Sequence, residues 1–204
     1  MSAPYLPIII LAAGASSRMG GQDKLLEAVD GAPLIRQQAR KALSVTAGPV
    51  IMALPPAPHP RYDALQGLEV LLCPVAEAAE GMNASLRTAM QHVPRDAGAV
   101  MVLLSDLPEL TATDLERIIT AWQAHPDHRI WRGETETGAP GHPIIFHADL
   151  FAALTDLKGD DGARSIVARH RDRVFAVPLP GQRARRDLDT PEDWKAWRQE
   201  NPER

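Results

Sequence analysis

Small residues and two cations follow the first apolar run of this 204-residue chain. The segment Leu11–Lys24 reads LAAGASSRMGGQDK and contains Arg18 and Lys24. Small side chains leave backbone amides free to point at an anion, and a polyphosphate suits a loop of this kind. Arg18 and Lys24 would supply the positive charge. The alternative is a glycine-rich surface turn with solvated cations, because loops of this composition are common.

This segment matches neither of the two common nucleotide-binding loops. The NTPase loop has four residues between its glycines, then Lys and Ser or Thr. Here five residues separate Gly14 from Gly20, and Leu25 follows Lys24. The dinucleotide fingerprint needs three glycines in a tighter pattern. The segment therefore indicates phosphate binding without indicating either of those enzyme classes.

Three aspartates could hold a metal ion. Asp106 follows an apolar run, and Asp187 and Asp189 precede a C-terminal helical pattern. Two residues apart in an extended segment, Asp187 and Asp189 share one face. Mg²⁺ commonly takes one or two carboxylates together with phosphates and water. Asp106 could instead cap the helix expected after it, and Asp189 could take part in capping the start of the last helix.

These residues lie in blocks that resemble the MobA-like nucleotidyltransferase family. Leu11–Gly20 matches almost completely the signature L-A-[AG]-G-x-[SG]-x-R-[ML]-G, and Lys24 follows shortly after. The other blocks are Glu80–Leu86, Leu104–Pro108, Gly141–Pro143, Gly159–Arg164 and Asp187–Asp193. Their order is that of the molybdenum cofactor cytidylyltransferases, and they span nearly the whole chain. The resemblance therefore favours a phosphate-binding loop over a solvated turn.

The resemblance implies a reaction and a fold. The reaction is Mg²⁺-dependent transfer of CMP from CTP to the phosphate of Mo-molybdopterin, with release of pyrophosphate. The fold is α/β, three-layered and Rossmann-like, of the nucleotide-diphospho-sugar transferase type. Arg18, Lys24 and Asp106 would be catalytic: Lys24 at the α-phosphate and the departing pyrophosphate, Arg18 at the β- and γ-phosphates. Asp106, Asp187 and Asp189 would hold the metal.

The nucleotide site would use the first loop and a second turn. Its expected residues are Leu11, Ala12, Ala13, Gly14, Arg18, Lys24, Gly81, Met82 and Ser85. Ala13 favours CTP, since the GTP-using relatives usually carry glycine there. An extra methyl group beside the base would narrow the site against a purine, an effect worth about 1–3 kcal/mol. Asn83 and Leu107 depart from the residues usual in the family.

The sequence gives weaker evidence for the acceptor site than for the nucleotide site. His142 and Arg164 are the candidate contacts, and Gly141-His142-Pro143 is typical of the cytidylyltransferase branch. A structural role for His142 remains equally open. Arg183, Arg185 and Arg186 could meet an anionic pterin phosphate or form a solvated face.

Other functions remain open beside the leading one. A related transferase could use GTP, as the molybdenum cofactor guanylyltransferases do, or another phosphorylated acceptor such as a sugar phosphate. A protein that only binds or carries the nucleotide or pterin is a further alternative. The expected partners are CTP, Mo-molybdopterin, and a molybdoenzyme or its chaperone, with neither nucleic acid nor membrane among them.

Alternating segments predict how these residues are positioned. The predicted strands are Pro7–Ala13, Pro49–Leu54, Leu68–Cys73, Ala97–Leu104, Arg129–Trp131, Pro143–His147 and Val174–Val177. The predicted helices are Pro33–Ala47, Asn83–Val93, Thr111–His125 and Thr190–Arg198. Such alternation, with near-continuous apolar strands, indicates a mostly parallel sheet with helices on both faces. Ligands of these sheets bind at the carboxyl ends of the strands.

Composition narrows the class of protein. With 22 Lys and Arg against 26 Asp and Glu, the net charge is −4, which excludes a general nucleic-acid binder. The length favours a single domain, residues 1–204. The single Cys73 cannot form an intrachain disulfide and is expected in the core. No Lys or Arg precedes the apolar start, unlike a secretion signal, so we expect a cytoplasmic protein.

Overall fold

Apolar runs rich in β-branched and aliphatic residues form the strands of the central sheet. A computed structural model describes residues 3–158 and 162–204. The strands are β1 (Ile8–Leu11), β2 (Ala28–Val29), β3 (Ala32–Pro33), β4 (Val50–Leu54), β5 (Leu71–Pro74), β6 (Ala99–Leu104), β7 (Ile130–Glu134), β8 (Pro140–His147) and β9 (Val174–Pro178). The helices are α1 (Leu34–Val45), α2 (Pro60–Ala64), α3 (Met82–Met90), α4 (Ala112–Ala124), α5 (Phe151–Thr155), α6 (Arg164–Arg169) and α7 (Pro191–Glu200). The predicted block Gly159–Arg164 lies partly outside the described residues, because Gly159, Asp160 and Asp161 are not described.

Seven strands form one sheet in the order β5-β4-β1-β6-β8-β7-β9, and β2 pairs with β3 in a separate ribbon. Within the seven-stranded sheet only β8 runs against the others, antiparallel to both β6 and β7. The expected mostly parallel sheet is thereby confirmed. Because β8 is reversed, it begins at the edge where its neighbours end, so Pro140 lies opposite Glu134.

Successive residues of β1 point to opposite faces of the sheet, as the strand period requires. Ile8 and Ile10 pack in a cluster with residues of α1, α4 and α7. Ile9 and Leu11 pack in a second cluster with residues of α3, α5 and α6. The sheet is therefore covered on both faces, which gives the three layers expected.

Two helices start with the capping interactions that their sequences favour. At α4, the Thr111 hydroxyl accepts from the Asp114 amide while the Asp114 carboxylate accepts from the Thr111 amide. The same reciprocal pair joins Thr190 and Asp193 at α7, with Pro191 in the first turn. These caps fix the residue at which each helix begins. They therefore also fix the position of the segment that precedes each helix.

Several elements differ from the sequence-based expectation. Helix α2, which the sequence did not predict, follows the Pro-rich stretch 55–60, and Pro60 occupies its first turn. The third long strand begins at Leu71 instead of Leu68, because Leu68 closes a turn onto the Leu65 carbonyl. Helices α5 and α6 have five and six residues, too short for a clear helical period.

Cys73 is fully buried, and burial raises the pKa of its thiol. It therefore serves as a small core residue. Among the described residues, no helix combines the length and apolar character needed to cross a membrane.

Candidate active site

The chain leaves β1 through a loop whose backbone is held in unusual conformations. Ser16 and Gly20 lie in the left-handed region on either side of a 3₁₀ turn, Ser17–Met19. Met19 is buried at 1% exposure and anchors this turn in the core. The adjacent Arg18 side chain is 68% exposed. The loop therefore presents Arg18 to solvent at the carboxyl edge of the sheet.

Lys24 lies at the centre of a charged cluster at this edge. Its Nζ is 2.6 Å from Asp106 Oδ2 and 2.6 Å from Asp189 Oδ1. A guanidinium nitrogen of Arg18 lies 2.6 Å from Asp189 Oδ2. The structure thus brings together the loop after β1, Asp106 in the segment after β6, and Asp189 in the segment before α7.

The structure decides between the two interpretations of each aspartate. Asp106 does not cap α4, because Thr111 and Asp114 cap that helix themselves. At α7 the cap is made by Thr190, and the Asp189 carboxylate binds Lys24 and Arg18. Both side chains are therefore available to the charged cluster.

Asp106, Asp187 and Asp189 each present a carboxylate oxygen, and these oxygens lie within 4.8 Å of one another. Asp106 Oδ1 is buried and has no hydrogen-bond partner among the described residues. A buried, unpaired acceptor costs about 1–3 kcal/mol, so such an atom suggests an ion as its partner. Carboxylate oxygens are hard ligands of the kind that Mg²⁺ and Mn²⁺ prefer. The residues present therefore fit a divalent cation.

The pKa values of this cluster reflect an excess of negative charge. Burial acts to lower the pKa of Lys24, but Asp106 and Asp189 outweigh it and raise that pKa. The pKa of Asp187 is raised, first by burial and then by the charges of Asp189 and Asp106. Lys24 therefore stays positive, while Asp187 forms no ion pair with any residue that the structure describes. A bound divalent ion would supply its counter-charge.

Arg61 was not indicated by the sequence, although it holds the loop after β1 in place. Its side chain is 1% exposed and lies in α2. It donates to the Ala12 carbonyl at 2.6 Å, to both Asp23 oxygens at 2.7 Å, and to Ser16 Oγ at 3.2 Å. Nothing in the local sequence indicates this role, because its partners lie 38 to 49 residues away.

Asp23 is the main partner of Arg61 and directly precedes Lys24. Burial acts to raise the pKa of Asp23, but the hydrogen bonds and charge of Arg61 outweigh it, so the pKa is lowered. Asp23 Oδ1 also accepts from the Leu25 amide at 3.0 Å and from Ser16 Oγ at 3.1 Å. These contacts fix the backbone on both sides of Lys24.

The other residues expected to bind nucleotide divide into buried and exposed groups. Leu11, Ala12 and Ala13 are buried and can offer only backbone atoms to a ligand. Gly14 is exposed, and a side chain there would meet no atom within 4 Å. The Ala13 methyl packs in the same core cluster as Ala84 of α3. Ala13 therefore packs in the core together with α3. Its methyl group could affect a bound base only by changing the position of that helix.

The second turn opens α3. Gly81 has a φ of 103°, a conformation that favours glycine, and it directly precedes the helix. Met82 is 44% exposed, whereas Ser85 is 5% exposed. Backbone groups and Met82 are thus accessible here, while the Ser85 side chain lies within the fold.

His142 and Arg164, the candidate acceptor contacts, lie at the start of β8 and at the start of α6. The His142 amide donates to the Ala184 carbonyl at 2.7 Å. Burial, followed by the charges of Arg132 and Arg164, lowers the pKa of His142 to about 4. The imidazole is therefore neutral at pH 7, and Arg132 joins the two expected residues on this side.

The three C-terminal arginines do not form one solvated face. Arg183 lies 3.4 Å from Asp114, and Arg186 lies 3.0 Å from Glu109 and 2.6 Å from Glu200. Arg185 has no carboxylate partner within the described ranges. Only Arg185 of the three is therefore available to an anion.

A groove of about 400 Å³ lies between the loop and α7. It is lined by Met19, Gln22, Glu27, Pro191, Trp194, Lys195, Arg198 and Gln199. Lys24 and the three carboxylates do not belong to this lining. We therefore place the candidate active site at the charged cluster, which contains cations that could bind phosphate and carboxylates that could hold a divalent ion.

Comparisons with known proteins agree with this geometry. The model of a family described as "MobA-like NTP transferase domain" matches residues 8–174. Purine catabolism protein PucB of Bacillus subtilis is 28% identical over 206 residues, covering 95% of this chain and 96% of PucB. A probable molybdenum cofactor guanylyltransferase of Synechococcus elongatus is 33% identical over 197 residues, covering 92% and 95%.

A solved structure is similar over almost the whole chain. Rv0371c of Mycobacterium tuberculosis superposes with a TM-score of 0.79 at 27% identity, covering 96% of this chain and 98% of that one. Its complex with manganese gives a TM-score of 0.73 at 25% identity, covering 94% and 97%. A divalent ion therefore binds a protein of similar fold and sequence.

Proposed function

The chain belongs to the MobA-like NTP transferase family, and on this premise we propose that it transfers CMP from CTP to the phosphate of Mo-molybdopterin, with release of pyrophosphate. The observation that carries the proposal is the cluster of Lys24, Arg18 and three carboxylates at the carboxyl edge of the sheet. Cations there can neutralise phosphates, and carboxylates can hold a divalent ion. This combination suits transfer of a nucleotidyl group.

The reaction needs little acid–base help from the protein. An oxygen of the acceptor phosphate attacks the α-phosphorus, and the bond from that phosphorus to the bridging oxygen of pyrophosphate breaks. The second pKa of a phosphate monoester is about 6, so the nucleophile is already ionised at pH 7. Catalysis is then a matter of alignment and charge neutralisation.

Arg18 and Lys24 share the charge neutralisation. Lys24, held positive between Asp106 and Asp189, contacts the α-phosphate and then the leaving group. Arg18 is exposed on the loop and reaches the β- and γ-phosphates. Arg61 acts through the loop, because it fixes Ala12 and Asp23 on either side of the binding segment.

Asp106, Asp187 and Asp189 hold Mg²⁺ in this proposal. The ion would neutralise charge on the nucleotide phosphates when bound. The unpaired Asp106 Oδ1 supports a cation at this position, and the manganese complex of Rv0371c supports the divalent class.

The choice of CTP rests on Ala13, and GTP is the second candidate. Relatives named as probable guanylyltransferases favour GTP. Ala13 favours CTP through the motif, with its methyl group packed beneath the helix that begins at Met82. A molybdoenzyme or its chaperone would receive the product.

Product analysis tests the nucleotide and the acceptor together. Purified protein would be incubated with Mo-molybdopterin, Mg²⁺ and each NTP in separate reactions, followed by mass spectrometry and a pyrophosphate assay. We expect a cytosine dinucleotide and pyrophosphate with CTP. A guanine dinucleotide would instead support the second candidate. Binding without pyrophosphate release would indicate a carrier.

Asp106→Asn tests the carboxylate cluster, which serves both the proposed metal site and the ion pair with Lys24. It keeps the size of the side chain but removes its charge, so product formation should fall at least 100-fold. Asp172→Asn, a change in the 3₁₀ turn before β9, provides the matched control with unchanged rate.

A further inference from the structure

Three arginines from separate elements act on one another or on His142 near the start of β8. Arg132 lies in β7, Arg164 begins α6, and Arg185 lies in the segment that leads to the carboxylate cluster. We call these three residues the arginine triad. Its members are separated by more than 20 residues in the chain, so the fold alone brings them together.

Backbone contacts join two members of the triad to β8. Arg132 Nε donates to the Gly141 carbonyl at 3.0 Å. The next amide along, that of His142, donates to the Ala184 carbonyl at 2.7 Å, and Arg185 follows directly. A methyl group at Gly141 would collide with the Ala184 carbonyl, so the two segments are in close contact. The Arg132 side chain and the backbone directly before Arg185 are therefore held by the same peptide group of β8, the one that joins Gly141 to His142.

The triad has no counter-charge among the residues that the structure describes. No carboxylate of residues 3–158 or 162–204 lies within 4.0 Å of its guanidinium groups. The neighbouring Arg183 and Arg186, in contrast, each pair with a carboxylate. Burial and then the charges of Arg164 and Arg185 lower the pKa of Arg132, so both of these arginines act on the charge of Arg132.

Arg132 is only partly exposed, so solvent screens its charge less than the charges of the exposed Arg164 and Arg185, and a bound anion would offset their repulsion of Arg132. Arginine presents a planar fork of donors that fits phosphate oxygens, and several such forks suit a dianion. The position also suits the reaction, because Arg185 is two residues from Asp187. An anion held here would lie next to the metal-binding carboxylates.

We propose that Arg132, Arg164 and Arg185 form the binding site for the phosphate monoester of the acceptor. This inference rests on the proposed function for the identity of the acceptor, but not for its chemical class. The neutral imidazole of His142 lies beside the triad and can accept or donate a hydrogen bond without adding charge. Arg132 is the central member, because its side chain is fixed to β8 and the charges of the other two arginines both act on it.

Equilibrium binding tests the site separately from turnover. Titration calorimetry would compare Mo-molybdopterin with its dephosphorylated form, with the nucleotide site filled by a non-hydrolysable CTP analogue and Mg²⁺. We expect the wild type to bind the phosphorylated form at least tenfold more tightly. Arg132→Gln and Arg185→Gln should each reduce this ratio to within twofold, and Arg132→Lys should restore part of it.

Arg169→Gln is the matched control, since Arg169 is exposed at the far end of α6, the helix that Arg164 begins. It should keep the wild-type ratio. The inference is overturned if the wild type shows no phosphate dependence, or if folded Arg132→Gln and Arg185→Gln proteins both retain it. Phosphate-dependent binding without CMP transfer would support the triad while rejecting the proposed function. CMP transfer by the wild type, together with an unchanged affinity ratio in both arginine variants, would support the proposed function while rejecting the triad.

Discussion

At the scale of single residues, Lys24 connects parts of the chain that are far apart. Its ammonium group joins Asp106 and Asp189, which lie 82 and 165 residues away. The sequence indicated Lys24 and Asp106 individually, because one follows a glycine-rich loop and the other follows a strand. The direct contact between them could not be predicted, since it depends on how two strands align in the sheet.

Lys24→Ala should lower kcat about 10²- to 10³-fold, the usual effect of removing one preorganised positive contact from a transition state. The protein should still fold, because Lys24 belongs to neither core cluster. Steady-state kinetics and circular dichroism would measure the two effects. Lys195→Ala, on the exposed side of α7, is the control. An unchanged rate, or an unfolded variant, would contradict the role given to Lys24.

His142 should make stability depend on pH. Its pKa is about 4 in the folded protein, against 6.5 for a free side chain. As the pH falls below about 6.5, the unfolded chain takes up a proton that the folded protein does not. The free energy of unfolding should therefore decrease, with a contribution from His142 of about 2 kcal/mol between pH 7 and pH 5.

Chemical denaturation of the wild type and His142→Gln at both pH values would measure this contribution. The variant should lose less stability than the wild type over the same interval, because its side chain does not titrate. The other six histidines are common to both proteins and cancel in the comparison. Equal losses in the two proteins would show that His142 does not remain neutral when folded.

At the scale of secondary-structure elements, α2 and the loop after β1 act together. Arg61 brings a buried positive charge from α2 to Asp23 and to the end of β1. The sequence around it is rich in proline, and a helix of five residues gives too little periodicity to be recognised. The sequence therefore could not indicate that an arginine in this segment would position the loop after β1.

Arg61→Met should lower the free energy of unfolding by about 3–5 kcal/mol, because it leaves the partly buried Asp23 without its partner. Arg61→Lys should cost less stability but still raise the KM for nucleotide, since lysine cannot hold Asp23 and the Ala12 carbonyl together. Urea denaturation and nucleotide kinetics would separate the two effects. The double variant with Asp23→Asn should cost less than the sum of the single changes. Additive costs would show that the pair is not coupled.

The direction of β8, antiparallel to β6 and β7, is a second feature at the scale of secondary-structure elements. The apolar run Pro143–His147 predicted a strand, but an apolar pattern carries no information about direction. The short connection from β7 makes a hairpin, and β8 therefore runs back along β6. Because of this reversal, His142 lies at the edge of the active site, next to Arg132.

At the scale of the whole molecule, the layered fold was predictable and the assembled site only partly so. The apolar runs of β1, β4 and β6 indicated buried parallel strands, and these occupy the middle of the sheet. Position after a strand was enough to identify Asp106. Arg61 and Arg132 were not identified, because each acts through contacts with residues that are distant in the chain.

Divalent ions should stabilise the molecule as a whole. The three carboxylates come from the segment after β6 and from the segment before α7, so an ion that binds all three would join the two regions. A ligand at one hundred times its Kd adds about 2.7 kcal/mol to the free energy of unfolding. Thermal unfolding with Mg²⁺ or Mn²⁺ should give a higher Tm than with EDTA. Asp187→Asn should reduce this increase, whereas Asp172→Asn should not.

The distance along the chain between Asp106 and the pair Asp187 and Asp189 has a consequence for biosynthesis. A ribosome makes the glycine-rich loop and Asp106 well before this pair. The strands that the structure describes all end before residue 187, so a chain interrupted just before that residue would contain them but only one of the three carboxylates. Such an interrupted chain should therefore bind Mg²⁺ less tightly than one that includes Asp187 and Asp189.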